Sequence, residues 1–478
     1  MSPRVSAAQL TSLLTDWRSL GGTGPLYVRL ATAIRVLVLD ARIPSSSLLP
    51  AERALATALG LSRTTVTAAY GQLREEGFVL SRQGGGSWVS LPGSRRRGAT
   101  QWARGGADSS IIDLSRASPA GDPSVETAYH AALEQLGTYL AGTGYDPQGL
   151  LVLREAIARR YAARGAPTTP DQLLVTAGAQ QAIDLLVRAL VAPLDPVVVE
   201  SPTYPNALDA LRRARCRVLP VTVSPTGWDH QELTAVHRRS MPRLTYVIPD
   251  YQNPTGSRMD DMARASLVEA AVSSGTTLCV DETMTEISFD DVAPPAPMAT
   301  FDQRVVSIGS MSKAYWAGLR VGWIRAESHL VLQLEEIKNA VDMASPPLEQ
   351  LAAAWLLDNA DDLVARHRAT FAANRDGLVD ALAHELGDWH FAIPRGGLSL
   401  WVQLHAPVST SLAQAAFTHG LRLASGRRFG TDDRFERYVR IPYTLPRFWL
   451  EEAVRRLAAA RRDVDAGWSA FPERVPMA

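Results

Sequence analysis

The sequence predicts a multidomain chain. An N-terminal α+β module of three helices and a hairpin is joined by a linker to a large, mainly parallel α/β domain that ends in a smaller α+β subdomain. Three observations lead there. The length, 478 residues, exceeds one ordinary domain. The charge is unevenly placed: the chain is neutral overall, yet residues 1–110 hold 13 arginines and no lysine against six acidic residues, so that 13 − 6 leaves +7 there and −7 on the remainder. The hydrophobic period is lost at "PGSRRRGATQWARGGADSS", residues 92–110, a Gly-, Ser- and Arg-rich stretch that reads as a tether.

Before the tether, "PLYVRLATAIRVLVLD" places Leu26, Leu30, Ile34, Leu37 and Val38 on one helical face. "PAERALATALG" starts a second helix at Pro50 and caps it with Gly60. "SRTTVTAAYGQLREEG" opens on Ser62, a good N-cap, and lines up Val66, Tyr70 and Leu73. "FVLSRQGGGSWVS" reads as two short strands around a glycine turn, which completes a winged helix-turn-helix. After the tether, apolar strands "LLVTAG", "VVVES", "LTYVIPD", "TLCVDE", "VVSIGS" and "VGWIRA" alternate with amphipathic helices such as "AQQAIDLLVRALV" and "DDMARASLVEAAVSSG". That alternation predicts a parallel sheet with functional residues on loops at its strand ends. The boundaries are 1–92, 93–110 and 111–478, with the small subdomain from about residue 360.

Composition bounds the function. With 46% hydrophobic and 21% charged residues the chain is globular. Cys216 and Cys279 have no ligand spacing, so neither a disulfide nor a metal site is expected, and a reducing compartment is implied. No leader sequence or membrane span is apparent, and a cytoplasmic location is expected.

In a helix-turn-helix the second helix enters the major groove with its N-terminal residues on bases and phosphates. Here that end is Ser62-Arg63-Thr64-Thr65: Arg63 suits guanine or phosphate, and the hydroxyls suit the DNA backbone. Arg53 on the preceding helix is placed for phosphate, and the glycines 84–86 would let the wing approach DNA closely. "PLYVRLATAIR", "LLPAERALATALGLSRTTVTAAYGQLREEGFV" and "GGGSWV" resemble the GntR family of bacterial regulators over roughly residues 25–90. By position the resemblance implies DNA contacts at Arg53, Ser62, Arg63, Thr64 and Gly84.

The second chemistry starts from a lysine. Among 49 basic residues only Lys313 and Lys338 are lysines. Arginine can replace lysine as a charge, but with a pKa above ~12 it cannot attack a carbonyl, whereas a lysine amine can. Lys313 lies in "IGSMSKAYWAGLRVGW" with Ser310, Ser312 and Arg320, groups that suit a phosphate. "DYQNPTG" places Asn253, "CVDE" Asp281, "PTYP" Tyr204 and "TAGAQQ" a glycine turn, each at a strand end. Each has an ordinary explanation as a cap, turn or packing residue. Together they supply the amine, phosphate cradle, carboxylate and ring that pyridoxal 5′-phosphate needs.

Residues 111–478 resemble a fold-type I, class I aminotransferase domain. Behind a GntR winged helix, that makes the chain similar to the MocR-type subfamily of GntR regulators. The resemblance implies a Schiff base at Lys313, Asp281 on the pyridine nitrogen, Asn253 on the 3′-oxygen and Tyr204 stacked on the ring. It gives the phosphate to Ala179, Gln180, Ser310, Ser312 and Arg320, with Tyr145 reaching the phosphate of a partner subunit in a homodimer. Arg440 in "YVRIPYT" matches the arginine that grips an amino-acid carboxylate. Two departures stand out: Glu282-Thr283-Met284 lacks the family's tyrosine beyond the aspartate, and Asn206-Ala207 replaces a second arginine found in some members.

The function expected is a regulator that binds duplex operator DNA and responds to the cofactor, or to an amine or amino acid, by external aldimine formation, with the tether carrying the change to paired winged helices. The alternatives are an aminotransferase with an autoregulatory DNA-binding domain and a DNA-binding dimer without cofactor. Lys313, Asp281 and Asn253 together argue against the last.

Overall fold

The computed structural model describes residues 4–14, 17–18, 25–39, 42–43, 47–82, 86–90, 111–224, 227–289 and 295–467. Gly84 and the tether at 93–110 lie outside the described residues. The chain divides into two compact units, one of residues 1–113, 410–425 and 456–478, the other of residues 114–409 and 426–455.

In the first unit, α1 (Ala7–Leu13) precedes the three expected helices α2 (Leu26–Leu39), α3 (Glu52–Leu59) and α4 (Arg63–Glu75). Nothing in the hydrophobic period announces α1. It starts at a capping box, in which Ser6 Oγ accepts from the Gln9 N–H and the Gln9 side chain accepts from the Ser6 N–H. Leu10, Leu30, Ile34, Val66, Tyr70 and Leu73 are fully buried in one apolar cluster. Leu26 departs from its expected stripe and is 43% exposed, because as the first residue of α2 it lies a turn short of the next buried position. α3 begins at Glu52 rather than Pro50, and the Pro50 carbonyl instead accepts the buried Tyr70 hydroxyl at 3.0 Å. Gly60 closes α3 at φ +65°, the left-handed conformation a side chain would strain. Arg35 Nη1 donates to Glu76 Oε2 at 2.7 Å, pinning α2 to the end of α4. The wing pairs β1 (Val79–Arg82) antiparallel with β2 (Gly86–Val89), Val79 opposite Val89. A short strand β3 (Ile112–Asp113) follows.

The second unit opens with α5 (Pro123–Leu136) and α6 (Leu151–Ala163). Then come β4 (Leu173–Thr176), α7 (Ala179–Leu190), β5 (Pro196–Ser201), α8 (Pro205–Arg213), β6 (Arg217–Ser224) and β7 (Gly227–Trp228). They are followed by α9 (His230–Ser240), β8 (Leu244–Val247), α10 (Asp261–Ser273), β9 (Thr277–Asp281), β10 (Val306–Ser310) and β11 (Gly322–Arg325). The eight strands form one sheet in the order β4-β11-β10-β9-β8-β5-β6-β7. Strands β10, β9, β8, β5 and β6 run parallel, and their near-continuous apolar sequences reflect helices covering the sheet. β11 runs antiparallel to both β10 and β4. Eleven residues, 311–321, join β10 to β11, a length that suits a reversal better than a helical crossover of a dozen or more. The reversal returns Gly322 opposite both Ser310 and Thr176 at one edge of the sheet.

Helices α11 (Ser328–Asn339) and α12 (Pro347–Asn359) lead to α13 (Asp361–Glu385) and β12 (Ser399–Gln403). Beyond them lie α14 (Ser409–Thr418), β13 (Leu421–Arg422), β14 (Ala424–Ser425), β15 (Tyr438–Pro442) and α15 (Arg447–Asp465). β12 pairs antiparallel with β15, which carries Arg440 opposite Trp401, and β13 pairs in parallel with β3. Among the described residues no helix is long and apolar enough to cross a membrane.

Candidate functional site

The carboxyl ends of the parallel strands converge, which is where an open α/β sheet builds its sites. β10 ends at Ser310, and a single π-helical turn, Ser312–Trp316, presents Lys313. The Lys313 amine donates to the Ala117 carbonyl at 2.7 Å and to Ser118 Oγ at 3.2 Å. Burial, with the Arg440 guanidinium next, lowers its pKa to about 8 against the opposing pull of Asp281. At that value a substantial fraction of the amine is neutral near physiological pH, the form that attacks a carbonyl.

Asp281 closes β9 and is buried. Its Oδ2 accepts the Tyr246 hydroxyl at 2.6 Å and its Oδ1 the Thr283 N–H at 3.0 Å. Burial and the neighbouring Asp281 charge hold Tyr246 protonated, its pKa well above the ordinary value. Tyr204 caps α8 and accepts a hydrogen bond from Asn206 at 2.9 Å. Burial, then the Asp281 charge, raises its pKa, whereas Arg440 and Arg320 act in the opposite direction. Asn253 Oδ1 accepts from Arg440 Nη1 at 3.3 Å, and Arg440 Nη2 donates to the Ser115 carbonyl at 2.6 Å. Lys313, Asp281, Tyr204, Asn253, Arg440 and Arg320 therefore share one electrostatic neighbourhood.

The end expected to receive the phosphate is built on glycines. Gly178, at φ +93°, precedes α7, and a Cβ there would stand 3.0 Å from Arg320 Nη2. A Cβ on Gly322 would come within 2.7 Å of the Gly178 backbone, so both positions require glycine for close approach. Arg320 donates to the Ala177 carbonyl. Ser310 Oγ donates to Ser312 Oγ at 3.0 Å, which leaves the Ser312 proton free to face a ligand. Ala179 starts α7, and Gln180 Oε1 is buried without a hydrogen-bond partner among the described residues. An amine of lowered pKa and a glycine cradle beside an arginine fit pyridoxal 5′-phosphate.

Tyr145 is not brought to this pocket within the chain: it is 64% exposed in the turn before α6. Glu282 faces elsewhere and takes no part in the site. It is buried with Tyr161 OH at 2.9 Å, Ser307 Oγ at 3.3 Å and Arg164 at 3.9 Å. Tyr246, Ser118, the Ser115 and Ala117 carbonyls and Gln181 belong to the neighbourhood without any sequence signal. Tyr246 sits inside a wholly buried strand, and 111–122 has no period to read.

In the winged helix, Arg53, Ser62, Arg63 and Thr64 are exposed. Ser62 caps α4 by accepting the Thr65 N–H at 3.1 Å, and its hydroxyl also meets Thr64 Oγ1 at 2.8 Å and Thr65 Oγ1 at 2.7 Å. Ser62 thus joins both threonine hydroxyls to the helix end, and Arg63 beside it in sequence is exposed.

A winged helix thus precedes an open α/β sheet that carries a lysine at the end of one of its strands. Residues 110–457 match the family described as "Aminotransferase class I and II", and residues 26–89 match "Bacterial regulatory proteins, gntR family". The chain belongs to the aminotransferase class I and II family, and a GntR-type domain precedes that match, an order of domains consistent with the MocR type.

Full-length relatives agree with that organisation. The chain is 28% identical to the uncharacterized HTH-type transcriptional regulator YdcR of Escherichia coli (strain K12), covering 87% of this chain and 94% of that one. It is also 28% identical to the HTH-type transcriptional regulator TauR of Rhodobacter capsulatus, over 92% and 98% of the two chains. Among solved structures it resembles LysN, the alpha-aminoadipate aminotransferase of Thermus thermophilus, complexed with N-(5′-phosphopyridoxyl)-L-leucine. That likeness has a TM-score of 0.68 at 27% identity and covers 75% of this chain and 93% of the other. Pyridoxal 5′-phosphate is the cofactor of this fold.

Proposed function

We propose that this protein is a transcription regulator that binds duplex DNA through its winged helix, holds pyridoxal 5′-phosphate through Lys313, and responds to the cofactor or to an amine or amino acid that competes with Lys313 for it. The observation that carries the reading is the Lys313 amine, held at the strand end by the Ala117 carbonyl and Ser118 Oγ, with burial and Arg440 lowering its pKa to about 8 against Asp281. When bound, the cofactor supplies an aldehyde that exchanges one amine for another and a ring that takes up electrons. Lys313 supplies the attacking amine. Asp281, held by Tyr246 and Thr283, would hold a proton on the ring nitrogen. Tyr204 would cover the ring, Asn253 would face the 3′-oxygen, and Ala179, Gln180, Ser310, Ser312 and Arg320 would receive the phosphate.

Arg440 has a second task in this reading. Its fork already donates to Asn253 and Ser115, so an effector carboxylate exchanges with those acceptors. A homodimer in which Tyr145 reaches the partner's phosphate accounts for its exposure.

Covalent capture is expected to speed up as pH rises through a midpoint near 8, because only the neutral Lys313 amine attacks. Arg440→Gln removes a cation that lowers that pKa, so its midpoint should move upward. Absorbance-monitored addition of the cofactor across this pH range checks both, and an unmoved midpoint would mean that Arg440 does not act on the amine.

The DNA half is tested on a duplex selected from a random pool by the wild-type chain. Arg63→Ala is expected to weaken binding by about 1–3 kcal/mol if Arg63 reads a base. A contact to phosphate alone would instead reduce the salt slope by about one. Unchanged affinity and slope would remove Arg63 from the interface. Production of a keto acid from amino acids by the wild-type chain would favour the aminotransferase reading.

A further inference from the structure

The second lysine raises the same question as the first. Lys338 lies in the last turn of α11 and is wholly buried, with no exposed side-chain surface. A buried ammonium is costly unless paired. Its carboxylate partner, Asp342, stands one helical turn on, with Oδ1 at 3.0 Å.

From Asp342 a chain of contacts leads to the phosphate end of the pocket. Asp342 Oδ2 accepts from Gln181 Nε2 at 2.6 Å. Gln181 Oε1 in turn accepts the Ala177 N–H at 2.6 Å. The Ala177 carbonyl, on the other side of the same residue, accepts from Arg320. Ala177 is therefore gripped at its N–H by a side chain held by Asp342, just beyond α11, and at its carbonyl by the arginine assigned to the phosphate. The next residues, Gly178, Ala179 and Gln180, form the cradle itself.

The direction of each bond depends on the one before. Lys338 Nζ, 3.0 Å from Oδ1, holds the Asp342 carboxylate so that Oδ2 accepts from Gln181. With Asp342 accepting, the Gln181 amide can be oriented only with its nitrogen toward Asp342 and its oxygen toward Ala177. That orientation matches the Ala177 N–H; the flipped amide would set donor against donor. We infer that Lys338 is a positioning residue for the phosphate site, acting through Asp342 and Gln181 on the Ala177–Gln180 turn. The inference rests on the reading of that turn as the cofactor's phosphate cradle.

The test compares pyridoxal 5′-phosphate with pyridoxal, which lacks only the phosphate, in equilibrium titrations of the full chain. Lys338→Met, Asp342→Asn and Gln181→Leu are each expected to weaken phosphate-form binding about tenfold, the loss a broken charge-assisted bond produces, while pyridoxal binds as to wild type. Combining Asp342→Asn with Gln181→Leu should add little to either alone, because they break one chain.

Phosphate-form binding within twofold of wild type in the soluble variants would overturn the inference, and so would equal weakening for both ligands. If Lys338→Met does not fold, the other two variants decide by the same outcomes. A wild-type chain that binds both ligands equally would instead defeat the assignment of the cradle, a result distinct from any change in the variants.

Discussion

Lys313→Ala is expected to leave no covalent cofactor adduct: after borohydride treatment, the pyridoxyl mass found on the wild-type peptide containing residue 313 should be absent, together with the visible band. The wild-type amine is enclosed and lowered to about 8. The chain's other lysine, Lys338, is wholly buried on α11 and paired with Asp342. Lys313→Arg sharpens the result. It keeps a cation beside Asp281 but has a pKa above ~12 and cannot attack an aldehyde. If Lys313 acted only as a charge, the arginine variant would keep its cofactor affinity and any response to amines on DNA. The proposal requires that both variants lose the adduct and the amine response. An alanine variant that still changed its DNA binding on addition of an amine would show that the signal bypasses this residue.

Asp281→Asn is expected to weaken cofactor binding by about ten- to hundredfold, the 1.5–3 kcal/mol associated with a hydrogen bond to a charged group. The argument is geometric. The Tyr246 hydroxyl and the Thr283 N–H both donate to this carboxylate. An amide in its place offers an NH₂ to one of those donors, so a bond is lost within the protein as well as the charge toward the ring. A second readout separates these effects. Asp281 raises the Lys313 pKa, so its loss should move the pH midpoint of covalent capture below about 8, opposite to Arg440→Gln. Titration of the cofactor against the variant, with the capture rate followed over pH, measures both. Unchanged affinity and midpoint would free Asp281 from this role.

The cofactor pocket also bears on the missing tyrosine beyond Asp281. Thr283 donates its backbone N–H to the carboxylate, and Glu282 is buried among Tyr161, Ser307 and Arg164. The segment therefore serves Asp281 through its main chain and the packing behind the sheet through Glu282. Tyr246, one strand over, supplies the buried phenol that contacts Asp281.

Local signals determined a large part of this molecule. The apolar periods of α2 and α4, the Ser62 cap, Gly60 at φ +65° and the hairpin are short-range consequences of sequence, and the winged helix follows from them. The buried strands β4, β5, β8, β9, β10 and β11 announced themselves as apolar runs ending in polar residues, which is why Tyr204, Asn253, Asp281 and Lys313 could be singled out. A lone lysine type among arginines is likewise a feature of composition. What the tertiary structure decided is how these ends meet. The reversal through 311–321 sets β11 antiparallel between β10 and β4, and only that pairing places Gly322 against Gly178 and Arg320 against Ala177. Tyr246 reaching Asp281, Ser115 engaging Arg440, and Lys338 acting through Asp342 and Gln181 involve residues 35, 325 and 161 positions apart along the pairs that close them. Side-chain orientation in a buried strand and hydrogen bonding across such separations are set by packing among distant segments, which no local period encodes.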